Sequence, residues 1–188
     1  VGYSLFRWQR KKSGDVLAEY ERMQVLVAAI AGAWLGSKLM AWMDNPGIIF
    51  DSGRWIEIFF SGKSIAGGLI GWLVAVEVAK KRLGIVVSTG DLYAVPLAAG
   101  IAIGRIGCFL AGLPDHTYGL PSGLPWAVDF GDGILRHPTQ IYEMIWLCAV
   151  MFLLGWAARF RHQAGDLFKI FMMSYFLFRF FIEWIKPR

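Results

Sequence analysis

Five stretches of the sequence carry long apolar runs: Met23–Met43, Ile65–Lys80, Asp91–Gly112, Thr139–Phe160 and Leu167–Ile185. A helix that crosses a bilayer needs about 20 mostly apolar residues, because the hydrocarbon core is roughly 30 Å thick and each residue rises about 1.5 Å. Backbone amides in lipid must find partners within the protein, which leaves helices or a closed barrel. Barrel strands are short and alternate in polarity, unlike these runs. The expected fold is therefore an all-α, polytopic transmembrane helix bundle, with residues 1–188 forming a single transmembrane domain. Ile65–Lys80 is short and is completed by its neighbours or accommodated by tilt. Val1–Phe6 is apolar and carries no initiator Met, so it reads as the end of a further, partial first span.

Composition agrees with a membrane protein. The chain is 56% hydrophobic and only 18% charged, with 14 Phe and 9 Trp. Soluble domains carry about a quarter charged residues, and a chain this apolar would expose more nonpolar surface than a soluble monomer tolerates. The net charge of +5 would point to nucleic acid only if the basic residues shared one soluble face. They alternate with apolar runs instead, so no nucleic-acid partner is expected. Cys108 and Cys148 lie in apolar segments, and two thiols make no disulfide framework.

The basic residues set an orientation. Arg7, Arg10, Lys11, Lys12 and Arg22 precede the first full run, Lys80, Lys81 and Arg82 follow the second, and Arg159, Arg161 and Lys169 follow the fourth. The intervening segments hold fewer: Arg54, Lys63 and Arg136, with Lys186 and Arg188 in the tail. Positive loops stay cytoplasmic, so residues 44–64 and 113–138 belong to the outer side. Within the first, Trp55–Phe60 has the pattern of a short interfacial element. The second is long, irregular and rich in Gly and Pro, and such loops in compact bundles usually carry function.

Charges inside spans are costly, about 2.5–3.5 kcal/mol each on insertion scales, and so mark candidate sites. Arg105 lies in Gly104-Arg105-Ile106-Gly107, where glycines admit a neighbouring helix or a lipid headgroup to the backbone. Its guanidinium suits bidentate binding of a phosphate, or else forms a structural pair with Glu183 or Glu143. Arg179 and Glu183 are spaced to pair on one helix face, either as part of a site or as a neutralised couple. Arg136-His137-Pro138-Thr139-Gln140-Ile141-Tyr142-Glu143 opens the fourth full run, with Pro138 fitting a first helical turn. A histidine there can take or give a proton near neutral pH, or the motif is simply a polar helix start. The loop adds Asp115, His116, Asp129 and Asp132, without a recognised metal-ligand spacing. Cys108 reads as inert packing, Gly32 and Gly36 as a small-residue helix contact, and Lys38 as a lysine reaching the interface.

These motifs, taken in order, resemble the bacterial prolipoprotein diacylglyceryl transferases. Gly104-Arg105-Ile106-Gly107, the Pro125-Trp126 loop, Arg136-His137-Pro138-Thr139-Gln140-Ile141-Tyr142-Glu143, and Arg179 with Glu183 follow the family's order. Ala66-Gly67-Gly68-Leu69-Ile70-Gly71 is similar to its glycine-rich third helix. The resemblance runs from about Met23 to Arg188. It implies seven membrane helices, a site facing the periplasm across the bacterial inner membrane, and no cofactor or metal. On that pattern this chain lacks most of the first helix and all of the seventh. The implied reaction takes diacylglyceryl from phosphatidylglycerol, attaches it to the cysteine thiol of a lipobox-containing prolipoprotein and releases glycerol phosphate. Arg105 and Arg179 would hold the headgroup phosphate, with Glu183 orienting Arg179 and with Gly104, Gly107, Gln140 and Tyr142 around it. His137, Glu143 and Asp115 are the candidates for proton handling.

The chain departs from the family pattern at three positions. Ala66 stands where the family has His before Gly-Gly, Cys108 where it has Asn, and Leu113 where it has Glu. Asp115, His116 and Thr117 are the nearby groups able to stand in. The departures motivate a second reading, a non-catalytic paralogue that binds anionic lipid or lipoprotein as a scaffold. A transporter ranks below both, because no inverted repeat or pair of broken helices is present.

Overall fold

A computed structural model describes residues 18–44, 64–160 and 163–187. Its helices are α1 (Glu19–Asp44), α2 (Ile65–Arg82), α3 (Asp91–Ala111), α4 (Thr139–Ala157) and α5 (Asp166–Ile182). They follow the five apolar runs closely. Three are long and apolar enough to cross a membrane: Glu19–Met43, Asp91–Ala111 and Thr139–Ala157. The other two fall short for different reasons: α2 ends in Lys80, Lys81 and Arg82, and α5 has only 17 residues. Val1–Phe6 and Trp55–Phe60 lie outside the described residues.

The chain divides into two compact units, one ending at Val87 and the other beginning at Ser88. In the first, α1 lies against α2 through facing glycines. A Cβ added at Gly32 or Gly36 would overlap the carbonyl oxygen of Gly71 or Gly67, and one added at Gly67 or Gly71 would overlap that of Gly36 or Gly32. The two backbones therefore touch directly, an approach that only hydrogen side chains allow and that favours weak Cα–H···O contacts. The contact expected for Gly32 and Gly36 is thus present, and the Gly67–Gly71 pair is its other half. Val25, Ala29 and Val76 form a small core that Trp72, Leu83 and Ile85 cover. Ser64 caps α2 by accepting from the Gly67 N–H at 3.2 Å. Lys38 is buried, at 6% exposure.

In the second unit α3, α4 and α5 pack on one another. Leu147, Phe171 and Tyr175 are fully enclosed. Trp146 stacks on Phe178 with ring centroids 5.5 Å apart and donates its indole N–H to the Ser174 carbonyl at 3.2 Å, which joins α4 to α5. At the opposite end Asp91, in the first turn of α3, accepts the N–H groups of Gly165 (2.8 Å) and Phe168 (3.0 Å). One helix thus caps the start of another. Asp91→Ala would strand those donors, and lost caps cost about 0.5–2 kcal/mol. Thermal unfolding should show that loss, with Asp91→Asn milder because one acceptor oxygen remains.

Residues 113–138 are less irregular than their sequence. A 3-10 turn covers Leu113–Asp115, and strands β1 (Val128–Asp129) and β2 (Leu135–Arg136) pair antiparallel. Asp129 Oδ1 accepts three successive N–H groups of the tip, from Gly131, Asp132 and Gly133. Gly131 and Gly133 take positive φ there. Asp132 grips Arg136 through two hydrogen bonds of 2.6 and 2.7 Å, and Arg136 lies over the Tyr118 ring. The Arg136 guanidinium holds the Asp132 carboxyl below the usual carboxylate range. The loop is then tied to the start of α4 and to the turn that follows α5. Gly119 and Leu120 exchange backbone hydrogen bonds with His137, and the Leu120 N–H donates to the Ile185 carbonyl at 2.7 Å.

Candidate functional site

The buried charges of the second unit gather around Glu143. This carboxylate stands one turn into α4 and is 2% exposed. Its Oε2 meets Arg105 Nη2 of α3 at 2.8 Å, and its Oε1 accepts from the Tyr175 hydroxyl of α5 at 2.9 Å. Each of the three helices supplies one member, so the site exists only when all three pack. Of the partners the sequence allowed for Arg105, the structure selects Glu143. Arg105 also points Nη1 toward Cys108 Sγ at 3.8 Å, while its buried Nε has no partner among the described residues. Cys108 is half-buried beside both Arg105 and Asp115.

Arg179 follows Tyr175 by one helical turn and pairs with Glu183 at 3.1 Å. Glu183 is exposed, so solvent screens this pair and leaves it worth little energetically. The guanidinium of Arg179 stays near the Glu143 cluster, since both Arg179 and Arg105 act on Tyr175.

Gln140 is 1% exposed and donates to Thr117 Oγ1 at 3.1 Å. Thr117 in turn donates to Asp115, and Thr139 donates to the Thr117 carbonyl. A polar chain thus runs from the loop to the start of α4. The carbonyl oxygen of Gln140 is buried and has no partner among the described residues. One orphan donor, Arg105 Nε, and one orphan acceptor, Gln140 Oε1, therefore lie on the same pair of helices. A Cβ on Gly104 or Gly107 would meet nothing within 4 Å among the described residues, so these glycines leave open backbone beside Arg105.

His137 and Tyr142 form a second group. His137 Nδ1 lies 3.1 Å from the Tyr142 hydroxyl, which also accepts from Trp126 Nε1 at 2.8 Å. They border a largely apolar cleft of about 540 Å³ with Leu124, Trp126, Ile145 and Ile185. Among the described residues no hydrogen bond or ion pair joins this group to the Arg105 cluster. Sequence reading missed Tyr175. Tyr175 had a signal, because it precedes Arg179 and Glu183 at successive i, i+4 steps on one face of α5. Thr117, named with Asp115 and His116 as a group able to stand in, is the one that joins Asp115 to Gln140 and Thr139.

A mainly helical chain with three helices of membrane-crossing character and a buried arginine–carboxylate–tyrosine cluster has the build of an integral membrane protein with a polar site. The family model for prolipoprotein diacylglyceryl transferase matches residues 1–188, and the chain belongs to that family. Among its relatives, the phosphatidylglycerol–prolipoprotein diacylglyceryl transferase of Bordetella parapertussis is 39% identical over 89% of this chain and 62% of its own length. The protein of the same name from Pseudoalteromonas translucida is 32% identical over 95% of this chain and 65% of its own. That of Geobacter sulfurreducens is 30% identical over 99% and 73%. The chain therefore spans less than two thirds of the length of the first two. No solved structure matches it significantly.

Proposed function

We propose that the protein is a phospholipid-dependent transferase of the bacterial inner membrane, acting on its periplasmic side. In this reading residues 1–188 belong to one transmembrane domain with five spans and part of a further one. The substrates are phosphatidylglycerol, or another anionic phospholipid, and a lipobox-containing prolipoprotein. The cysteine sulfur bonds to the terminal glyceryl carbon of the diacylglyceryl group, the bond from that carbon to the phosphate oxygen breaks, and glycerol phosphate leaves. The thiol proton passes to a protein base.

The orphan Arg105 Nε is the observation that carries this reading. Glu143 of α4 meets the guanidinium, Tyr175 of α5 holds Glu143, and the Arg105 Nε donor has no partner among the described residues. Preorganised donors of this kind stabilise charge that develops on a leaving group, and removing one typically costs about 100–1000-fold in rate. Arg179, steadied by Glu183, supplies a second guanidinium. Gln140 Oε1 offers an acceptor to a headgroup hydroxyl, and Gly104 and Gly107 leave room for the headgroup. Both oxygens of Glu143 are engaged, so in this reading Glu143 orients Arg105 and either His137 or Asp115 takes the thiol proton. Tyr142 holds His137.

The test is mass spectrometry of products from the full-length protein given phosphatidylglycerol and a lipobox peptide. A peptide heavier by one diacylglyceryl group, absent in Arg105→Ala, is the expected result. Glycerol phosphate released with the peptide unmodified would mean another acceptor. Lipid bound with neither pool changed would establish the scaffold reading that Ala66, Cys108 and Leu113 motivate.

A further inference from the structure

Trp126 has no part in the phosphate site, yet the fold sets its indole against the His137 group. β1 and β2 pair with Val128 opposite Arg136, so the residues just before β1 lie beside those just after β2. Those residues are Trp126 and His137. The His137 backbone is pinned by the loop: its N–H donates to the Leu120 carbonyl at 3.1 Å, and its carbonyl accepts from the Gly119 N–H at 2.8 Å. A Cβ on Gly119 would lie 2.7 Å from the His137 Cβ, a contact that only glycine permits. Tyr142, in the first turn of α4, closes the group, its ring edge-on to the imidazole with centroids 6.1 Å apart.

One hydrogen-bond arrangement satisfies all three side chains. An indole N–H only donates, so the 2.8 Å bond from Trp126 Nε1 has the Tyr142 oxygen as its acceptor. The phenol has a proton of its own, and His137 Nδ1, at 3.1 Å, is its acceptor among the described residues. In the reverse arrangement a protonated Nδ1 would donate. The phenol oxygen would then take two donors, and its own proton would have no acceptor among the described residues. A neutral His137 therefore keeps Nδ1 bare and carries its proton on Nε2. With one bond accepted and one donated, the Tyr142 oxygen retains a lone pair, and Tyr142 lines the apolar cleft.

We infer that Trp126 is a positioning residue for proton transfer: it aims the Tyr142 hydroxyl at His137 Nδ1 and leaves Tyr142 Oη as the atom that meets the acceptor thiol. The inference rests on the transferase reading. Of the two candidate bases, His137 and Asp115, it selects His137, reached through Tyr142. In the step, the sulfur electron pair forms the bond to the glyceryl carbon, and the carbon–oxygen pair leaves with the phosphate. The thiol proton passes to Tyr142 Oη as the Tyr142 proton passes to His137 Nδ1. The Trp126 N–H stays on that oxygen throughout and steadies the negative charge it gains in transit. After the product leaves, the proton returns through Tyr142 Oη to water. Tyr142 and Glu143 are consecutive in α4, so the relay and the carboxylate that orients Arg105 share one helical turn.

The experiment pairs nitrogen-15 NMR of the full-length protein, labelled at histidine, with steady-state kinetics on phosphatidylglycerol and a lipobox peptide. It compares the parent, Trp126→Phe, Tyr142→Phe and the double variant, with the His137 signal assigned by its loss in His137→Gln. The parent should show a neutral His137 with Nδ1 unprotonated. Trp126→Phe keeps an aromatic ring without the N–H and should show both ring forms. Loss of one neutral hydrogen bond should lower its kcat about two- to tenfold, with the peptide KM unchanged. Tyr142→Phe should cost about 100-fold or more, the usual contribution of a positioned acid–base group, and adding Trp126→Phe to it should cost nothing further. An Nδ1-protonated ring in the parent would overturn the inference. So would a change confined to KM, or a Trp126→Phe loss that persists beside Tyr142→Phe, because either assigns the indole to packing or to peptide binding. A parent with the expected ring form that transfers nothing would remove the transferase reading and keep Trp126 as the residue that sets the ring. Normal transfer with the opposite ring form would do the reverse.

Discussion

Arg105→Ala will abolish product formation and also lower stability by about 3–5 kcal/mol, the usual cost of removing one partner from a buried ion pair. The cost arises because the Glu143 carboxyl, 2% exposed, loses the guanidinium that met it at 2.8 Å. The Tyr175 hydroxyl alone cannot replace a full positive charge. Arg105→Lys will recover part of the stability and little of the activity. An ammonium can face Glu143, but it has no planar fork with which to hold the carboxylate and present a further N–H. The informative double variant combines Arg105→Met with Glu143→Leu. Replacing both charges with apolar groups of similar volume removes the stranded carboxylate, so the protein should melt well above Arg105→Ala while staying inactive. Thermal unfolding in detergent, run beside the transfer assay, separates the two roles. Equal melting of the single and double variants would show that the pair does not have the burial described.

Gly71→Leu should be equally severe for the other unit, by a purely steric route. Its Cβ alone would overlap the Gly32 carbonyl oxygen and crowd the Gly36 backbone. The helices would have to separate, forfeiting the dispersion contacts that drive helix association where lipid offers no hydrophobic gain. A loss of several kcal/mol, seen as low yield and early melting, is the expected outcome. Gly68→Ala is the control. Its Cβ would sit 3.5 Å from the Ala33 oxygen and 3.7 Å from Ser37 Cβ, which is ordinary contact. Ala is also the better helix former by about 1 kcal/mol, so that variant should be neutral or stabilising. Comparable behaviour of the two variants would contradict the close approach of α1 and α2.

Hydrophobic run length located the helices because a lipid-facing helix leaves a signal in every residue. It did not settle how many cross. The basic end of α2 and the brevity of α5 leave those two short of the length and apolarity of the other three. The hairpin of Val128–Asp129 and Leu135–Arg136 was invisible because two residues are too few to show alternation. Arg105, Glu143, Arg179 and Glu183 were legible as costly charges at helical positions, and Tyr175 was legible in principle from its spacing to Arg179. Which carboxylate meets Arg105 was not legible, since helix rotation decides it.

The pairing of Arg105 with Glu143 also bears on how the chain enters its membrane. Synthesis proceeds from the N-terminus, so α3 emerges with its arginine before α4 has been made. An unpaired arginine near a helix centre costs about 2.5–3.5 kcal/mol on insertion scales. That charge finds its partner only once the loop and the first turn of α4 have followed. Insertion of α3 and α4 together as a hairpin would let Glu143 neutralise Arg105 within the membrane. Tyr175 completes the carboxylate last, when α5 joins them.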